Sequence, residues 1–306
     1  MNTVASGVSY VDLRFCGVPR IIATAVLHAP GGVALIDPGP SSTLTTLSGA
    51  LEASGVTFDD VRALVLTHIH LDHAGATGTL VHAHPHLRVY VHERGAPHMI
   101  DPAKLLASAT RLYGADMDRL WGEVRAVPEH ALVVVRGEER IAVGARELEV
   151  AYTPGHASHH VSYFSAEAGI AFVGDTAGIR LNPGGYILPP TPPPDIDLEL
   201  WRTSLARIRR WRPDTLFITH FGPHGAAPAH LAEMEDHLER VAGIAKASLA
   251  GDGTDEAREA WFAEEIRREL RRRSSLEDAR AYEIAGRFDL NWRGLARYWR
   301  KREGRK

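Results

Sequence analysis

The stretch Leu64-Val65-Leu66-Thr67-His68-Ile69-His70-Leu71-Asp72-His73-Ala74-Gly75 is an apolar, strand-like run that passes directly into the pattern H-x-H-x-D-H. At this histidine and aspartate content the pattern arises by chance in roughly 0.3% of chains, too rarely for a reading without chemistry. Side chains alternate along an extended segment, so His68 and His70 can aim at one cation just beyond a strand end. Asp72 and His73 can then reach a second cation a few ångströms away. A closed metal shell takes about four donors and a catalytic one about three plus water, so other segments must contribute. His156 follows Tyr152-Thr153-Pro154-Gly155, Asp175 ends Ile170-Ala171-Phe172-Val173-Gly174, and His220 ends Thr215-Leu216-Phe217-Ile218-Thr219. Each stands at the end of a short apolar run. Gly174 lets the backbone come close to an ion, and a carboxylate at 175 can bridge two cations through its two oxygens.

Working outward, strand-length apolar runs recur at 8–15, 21–27, 33–36, 63–66, 87–91, 131–135, 148–152, 161–164, 170–173 and 216–218. Helical spacing separates them at Leu44, Leu47 and Leu51, at Leu105, Leu106, Ala109 and Leu112, and at Leu198, Trp201, Leu205 and Ile208. Interleaved strands and helices predict an α/β or α+β fold. The segment Leu181 to Asp197 holds six prolines and two glycines in 17 residues, a stiff loop leading to a helix cap at Asp195 or Asp197. After Pro228 only helical spacing remains. Leu231, Met234, Leu238, Val241 and Ile244 mark one helix, and a break is expected at Gly251-Asp252-Gly253. A second helix over 257–273 would carry Trp261, Phe262, Ile266 and Leu270 on one face. A last helix would carry Ala285, Phe288, Trp292, Leu295 and Trp299 on one stripe. The division predicted is a catalytic domain over 1–225 and a helical region over 226–306 that packs on it or caps it, with a homodimer contact as a further expectation.

The 306 residues are 44% hydrophobic and 24% charged, and 35 Lys and Arg against 38 Asp and Glu leave a formal net charge of -3. No global positive field draws such a chain to nucleic acid, so a nucleic-acid partner is not expected. No run approaches the roughly 18 to 20 apolar residues that span a bilayer. The single cysteine, Cys16, forms no intrachain disulfide, and residues 1–20 carry no continuous apolar signal core, which together predict a cytoplasmic protein. The 17 histidines stand out, because imidazole is a common metal ligand and acid-base group.

The motifs Thr67-His68-Ile69-His70-Leu71-Asp72-His73-Ala74-Gly75, Thr153-Pro154-Gly155-His156, Gly174-Asp175-Thr176 and Thr219-His220, in this order, resemble the metallo-β-lactamase-fold hydrolases, within them the glyoxalase II-like and lactonase-like branch. The resemblance spans roughly residues 20 to 225. It implies a four-layer αββα sandwich with the site at one edge between the sheets. By that resemblance His68, His70 and His156 hold a first metal, Asp72, His73 and His220 a second, and Asp175 bridges them. Leu35-Ile36-Asp37-Pro38-Gly39 also matches, with Asp37 supporting the ligands from behind. His160 matches a position where a supporting hydrogen bond is expected. True β-lactamases of this fold typically lack the bridging aspartate, which favours ester, thioester or lactone hydrolysis over antibiotic hydrolysis.

The mechanism so implied uses a metal-bridging hydroxide as nucleophile on the carbonyl of a small-molecule acyl substrate, with Asp72 as ligand and hydroxide-orienting group. Two divalent ions are expected, zinc first, with iron or manganese suited to the same donors. Arg180, Tyr186 and His224, in loops after the ligands, are candidate substrate contacts. His82, His84 and His86 read as a solvated loop. Residues 92–121, including His92, Glu93, His98, Tyr113 and Trp121, are an insert that walls the pocket or packs on the core. The basic tail from Arg293 reads as a solvated face. A phosphodiesterase or nuclease, a mono-iron persulfide dioxygenase-like enzyme and a non-enzymatic binding scaffold are the alternative functions.

Overall fold

In the computed structural model, which describes residues 1–250 and 253–304, the strand-like runs assemble into two sheets. The first holds seven strands in sequence order: β1 (Asn2–Ala5), β2 (Val8–Asp12), β3 (Ala23–Ala29), β4 (Gly32–Ile36), β5 (Val61–Val65), β6 (Arg88–His92) and β7 (Leu132–Val135). Its first four strands pair antiparallel and β4 to β7 pair parallel. The parallel half needs crossovers, and the helical patterns supply them. These are α1 (Leu44–Glu52) before β5, α2 (Leu71–Ala74) and α3 (Thr77–Ala83) before β6, and α4 (Ala96–Ile100), α5 (Ala103–Tyr113) and α6 (Met117–Trp121) before β7.

The second sheet runs from β8 (Arg140–Val143) through β9 (Arg146–Tyr152), β10 (Val161–Ser165), β11 (Ile170–Gly174) and β12 (Thr215–Ile218) to β13 (Gly222–His224). Its one parallel pair, β11 with β12, is bridged by α7 (Leu198–Arg210), capped as expected at Asp197, whose carboxylate accepts from the Leu200 N–H at 2.9 Å. The sequence reading missed β1, β8 and β13. They are three or four residues long, and β1 and β8 keep exposed positions, so they lack the apolar run that marks a buried strand.

Leu35, Leu64, Val65 and Val89 of one sheet and Tyr163, Phe172 and Leu216 of the other are buried. The sheets are stitched together at the end where the ligand motifs emerge. The Tyr163 hydroxyl donates to the Leu66 carbonyl at 2.8 Å, Val161 N–H to the Thr67 carbonyl at 2.8 Å, and Ala23 N–H to the Thr219 carbonyl at 2.8 Å. The fold class is α/β: two mixed sheets with flanking helices and a helical C-terminal region.

That region consists of α8 (Ala227–Ala250), α9 (Asp255–Arg271), α10 (Leu276–Gly286) and α11 (Phe288–Arg302). Of the break expected at 251–253, residues 251 and 252 lie outside the described residues. Trp261 does not join Phe262, Ile266 and Leu270 inside: it is 44% exposed, because adjacent helical residues point about 100° apart and Phe262 takes the inward position. The single last helix is two helices. Arg287, at φ 34, turns the chain between them, so Ala285 lies on α10 and Phe288 to Trp299 on α11. Helix α11 docks on the proline loop: the Asn291 side chain accepts from Thr191 N–H at 2.7 Å, and the Thr191 hydroxyl donates to the Asn291 carbonyl at 3.1 Å. Gly294 brings the helix so close that a Cβ there would lie 2.0 Å from the Thr191 carbonyl oxygen. In the basic tail Arg293, Arg300 and Arg302 are paired with Glu259, Asp255 and Glu199; residues 305 and 306 lie outside the described part.

Candidate metal centre

The strand ends β5, β9, β11 and β12 converge, and with them the side chains that follow each strand. Nitrogen and carboxylate atoms of His68, His70, His156 and Asp175 gather within 4.8 Å of one another, and so do those of Asp72, His73 and His220. Asp175 joins the two groups. Its Oδ2 lies 3.2 Å from His156 Nε2 and 4.0 Å from His68 Nε2, while its Oδ1 lies 3.2 Å from His73 Nε2 and 3.6 Å from His220 Nε2. Asp72 Oδ2 completes the second group at 3.3 Å from His220 Nε2 and 3.8 Å from His73 Nε2. In the first group His70 Nδ1 sits 3.0 Å from His156 Nε2.

The rear nitrogens of the rings are fixed by hydrogen bonds. His220 Nδ1 donates to the Ile21 carbonyl at 2.7 Å and His156 Nδ1 to the Pro190 carbonyl at 2.8 Å. His73 Nδ1 donates to Asp37 Oδ2 at 2.8 Å. The Thr67 hydroxyl gives its proton to Asp37 Oδ2 at 2.7 Å, so at 3.1 Å it accepts from His68 Nδ1. With Nδ1 donating, Nε2 of these rings carries a lone pair toward the centre. His68 Nε2, His73 Nε2 and Asp175 Oδ1 are buried without any hydrogen-bond partner. Orphaned acceptors are costly in a protein interior, and here they face a common point. This donor set fits divalent cations.

The charge balance points the same way. Burial pushes the imidazole of His70 down to about 4, and holds His68 and His156 below the ordinary value. At His73 burial acts in the same direction but is outweighed by Asp175, Asp72 and Asp37, which raise it; at His220 it is outweighed by Asp175 and Asp72. Burial opposes ionisation of Asp175 and Asp72, yet His73 and its neighbours hold Asp175 well below the carboxylate range and Asp72 down to about 2. The carboxylates thus demand positive charge at the centre, which bound cations would supply.

Asp37 ties the frame together. Besides the bonds to His73 and the Thr67 hydroxyl, it accepts from Thr67 N–H at 2.8 Å and from the Thr219 hydroxyl at 2.8 Å. Its backbone takes the left-handed conformation at φ 51, with the carbonyl held by the Thr24 hydroxyl at 2.8 Å. His160 does similar work at Asp175: its Nε2 accepts the Asp175 N–H at 3.2 Å, and Nδ1 lies 3.0 Å from the Thr153 hydroxyl. Gly174, at φ +47, leaves no room for a side chain, since a Cβ would meet Thr67 Oγ1 at 2.5 Å and His160 Nε2 at 2.7 Å. Asp175 can therefore approach only because residue 174 is glycine.

The centre opens on a cavity of about 310 Å³, reached by His70, Asp72, His156, Asp175 and His220. The insert after β6 supplies one wall, with Arg94, His98, Lys104, Leu105, Tyr113 and Trp121. The proline loop and the α10–α11 turn supply the other, with Pro190, Asp195, Arg287 and Asn291. His159 lines it too, half-buried, its ring nearly parallel to that of His68 with centres 6.1 Å apart.

A family model described as the metallo-beta-lactamase superfamily matches residues 17–220. The chain belongs to that superfamily. A metallo-beta-lactamase fold-containing protein, ST1585, of Sulfurisphaera tokodaii is 28% identical over 227 residues, covering 73% of this chain and 79% of that protein. A hydroxyacylglutathione hydrolase of Thermosynechococcus vestitus is 26% identical over 153 residues, 49% of this chain and 47% of that enzyme, so the match spans about half of each. Among solved structures, the metallo-beta-lactamase family protein TTHA1429 of Thermus thermophilus superposes with a TM-score of 0.73 at 21% identity, covering 98% of this chain and 95% of that one. The chain is a metallo-beta-lactamase superfamily hydrolase with a His/Asp cluster suited to metal ions.

The substrate contacts expected from the loops lie elsewhere. Tyr186 is 1% exposed and stacks on His237 of α8, ring centres 4.2 Å apart. The Arg180 guanidinium reaches His230 Nδ1 at 3.3 Å and Glu233 at 3.6 Å, and His224 Nε2 lies 3.1 Å from the Arg180 carbonyl. All three serve the joint between α8 and the loop behind Asp175, where burial outbids exposure for aromatic and long side chains. Away from the site, His82, His84 and His86 bond to Gly78, Asp59 and Val61. Arg94, Lys104, Ser158 and Arg287 line the cavity without having been singled out, and Asp195, read only as a possible helix cap, lines it too. No spacing in the sequence marks them, because tertiary packing alone brings them together.

Among the described residues, no helix is long and apolar enough to cross a membrane.

Proposed function

We propose that the protein is a di-metal hydrolase of small acyl compounds, a thioester, ester or lactone, of the glyoxalase II-like or lactonase-like kind. The observation that carries this reading is the division of the two Asp175 oxygens between two histidine groups, with orphaned acceptors aimed at the space between. His68, His70 and His156 would hold one cation, Asp72, His73 and His220 the other, with Asp175 shared; zinc suits these donors, as do iron and manganese. When bound, the cations supply a hydroxide near neutral pH and an electrophilic contact for a carbonyl oxygen.

The chain's own residues do the rest. Asp72, with 23% of its side chain exposed while His73 and His220 are shut in, is the most open donor of its group toward the cavity. A free carboxylate lone pair there can accept a hydrogen bond from the attacking oxygen and orient it. Tyr113, Trp121 and Leu105 keep bulk water from the reacting carbonyl, which strengthens every charge interaction at the centre. The chain offers this centre without needing a serine or cysteine nucleophile: its only cysteine, Cys16, is exposed on the 3-10 turn Phe15–Gly17. A cytoplasmic, small-molecule role with no nucleic-acid or membrane partner is part of the same proposal, as is a homodimer through the C-terminal helices.

The test is initial rates of zinc-, manganese- and iron-loaded protein on matched thioester, lactone and phosphodiester substrates, with His156→Ala and Asp175→Ala as controls. Acyl turnover lost in both folded variants is expected. Phosphodiester turnover alone would overturn the reading, and oxygen consumption on a persulfide by protein with one iron would favour a dioxygenase.

A further inference from the structure

The metal donors open on more than one cavity. Asp72 and His220 also line a second space of about 470 Å³. Besides the donors, Tyr113, Trp121, Ala285 and Arg287 line both spaces and form the septum they share, with the Arg287 guanidinium 5.6 Å from the centre of the Tyr113 ring. The septum is braced: Asp289 takes two hydrogen bonds from Arg287, at 3.0 and 2.7 Å, and the left-handed turn between α10 and α11 sets the position of both.

The two spaces differ in chemistry. The second is walled by Phe15, Val18, Ile21, Ile22, Leu120 and Trp121, with the Phe15 and Trp121 rings stacked at 5.5 Å. Of the charged residues at its edge, Arg119, Glu283 and Arg287 are ion-paired with Asp116, Arg267 and Asp289, and Arg280 is exposed. An unpaired charge lodged among these apolar walls would be costly, whereas an alkyl or aryl group gains by leaving water. The first space has apolar wall residues too, Leu105, Leu112 and Leu290 among them, but adds unpaired cationic side chains. Arg94 and Lys104 on its wall are exposed and in no ion pair among the described residues, and Arg94 is held over the Tyr152 ring at 5.6 Å. The nearby carboxylate, Asp195, is engaged by the Ser158 hydroxyl.

We infer that the substrate is a two-sided thioester whose apolar acyl group occupies the second space and whose anionic thiol half occupies the first, its charge at Arg94 and Lys104, with the scissile carbonyl beside Asp72. This rests on the acyl-hydrolase reading and names the substrate class within it. Hydrolysis balances as follows: water adds its oxygen to the acyl carbon, and the C–S bond breaks with its electron pair leaving on sulfur. One proton of the water goes to the thiolate and the other to solvent. An unsubstituted lactone, whose leaving group stays attached to its acyl group, makes no use of two chambers.

The experiment compares octanoyl-CoA (phosphate charge), S-octanoylglutathione (carboxylate charge), the neutral octanoyl N-acetylcysteamine thioester and acetyl-CoA on the zinc-loaded protein. At least one charged octanoyl thioester is expected to exceed the neutral one about tenfold in kcat/KM at low salt, with the gap closing as salt screens the charges; which one is faster identifies the anion. Arg94→Ala/Lys104→Ala should remove that advantage, bringing the ratio of charged to neutral octanoyl rates to about one. Val18→Trp, and independently Ile284→Trp at an exposed wall position, should lower the ratio of octanoyl-CoA to acetyl-CoA kcat/KM severalfold. Calorimetry of coenzyme A and glutathione gives a readout without turnover: the thiol matching the faster substrate should bind, and the double variant should weaken it. Equal rates on charged and neutral thioesters, or an unchanged ratio in the double variant, would overturn the inference and leave the hydrolase reading standing. Failure to hydrolyse any thioester, with lactones turned over, would overturn the inference alone; failure on all acyl compounds would overturn both.

Discussion

Asp37→Asn isolates what the carboxylate behind His73 contributes. In the native frame Oδ1 accepts from Thr67 N–H, and Oδ2 accepts from the Thr67 hydroxyl, the Thr219 hydroxyl and His73 Nδ1. An amide of the same shape keeps one acceptor and turns the other into a donor. If its oxygen stays with His73, its NH2 meets the Thr67 N–H; if it flips, the NH2 meets His73 Nδ1. Hydroxyls can rotate to new partners, but a backbone N–H cannot, so about one buried donor is left unsatisfied, costing roughly 1–3 kcal/mol. The expected result is a folded protein with a lower melting temperature. His73 also loses the anion that fixes its tautomer and raises its basicity. Removal of such a supporting partner typically costs about 10–100-fold in metal affinity, or about 1.4–2.7 kcal/mol. Competition against a chromophoric chelator should show this loss chiefly at the site of His73, with a smaller loss at the site of His68, which Asp37 reaches only through the Thr67 hydroxyl. Affinity within twofold of wild type at both sites, in a protein of lowered stability, would refute the orienting role of Asp37.

Three further outcomes follow from the packing. Gly155→Ala forces a left-handed φ of +136 on a residue whose Cβ would lie 2.4 Å from Trp201, so it should displace His156 and lower the melting temperature by several degrees, with one metal lost on dialysis. Gly294→Ala should lift α11 from the Thr191 carbonyl, leave metal content intact and raise hydrogen exchange at the Thr191 N–H, the sole amide proton among residues 189–194, and along α11, read by mass spectrometry. Burial holds the His230 imidazole down to about 3, while in the unfolded chain it protonates near 6.5. The unfolded state therefore binds more protons below pH 6.5, and stability falls as pH drops from there toward 3, by up to about 1.4 kcal/mol per pH unit for this group. His230→Gln should flatten the urea-denaturation slope between pH 4.5 and 6.5 by about one proton's share.

The clustering of the candidate donors was legible because each follows a buried strand, so local pattern and spatial place coincide. His68 to His73 follow β5, His156 follows β9, Asp175 follows β11 and His220 follows β12. Asp37 was legible for the same reason, at the end of β4. The walls were not. Arg287 faces the cavity only because the chain turns at that residue, and an uninterrupted helical stripe from Ala285 to Trp299 conceals the turn. Tyr186 shows the converse: a tyrosine in a proline-rich loop near a ligand has the same sequence signature whether it meets substrate or, as here, His237 and the α8 side of the core. The insert after β6 left packing and pocket wall as alternatives. Tyr113 and Trp121 do both, their rings 4.9 Å apart while lining the cavity.

The most direct test of the account is an anomalous difference map at the zinc edge from crystals of the wild type, His156→Ala and His220→Ala grown with zinc. Two peaks flanking Asp175 are predicted for the wild type, with the peak beside His68 and His70 lost in the first variant and the peak beside Asp72 and His73 lost in the second. A single peak in the wild type, or both peaks surviving in both variants, would contradict the two-cation centre on which the proposed chemistry depends.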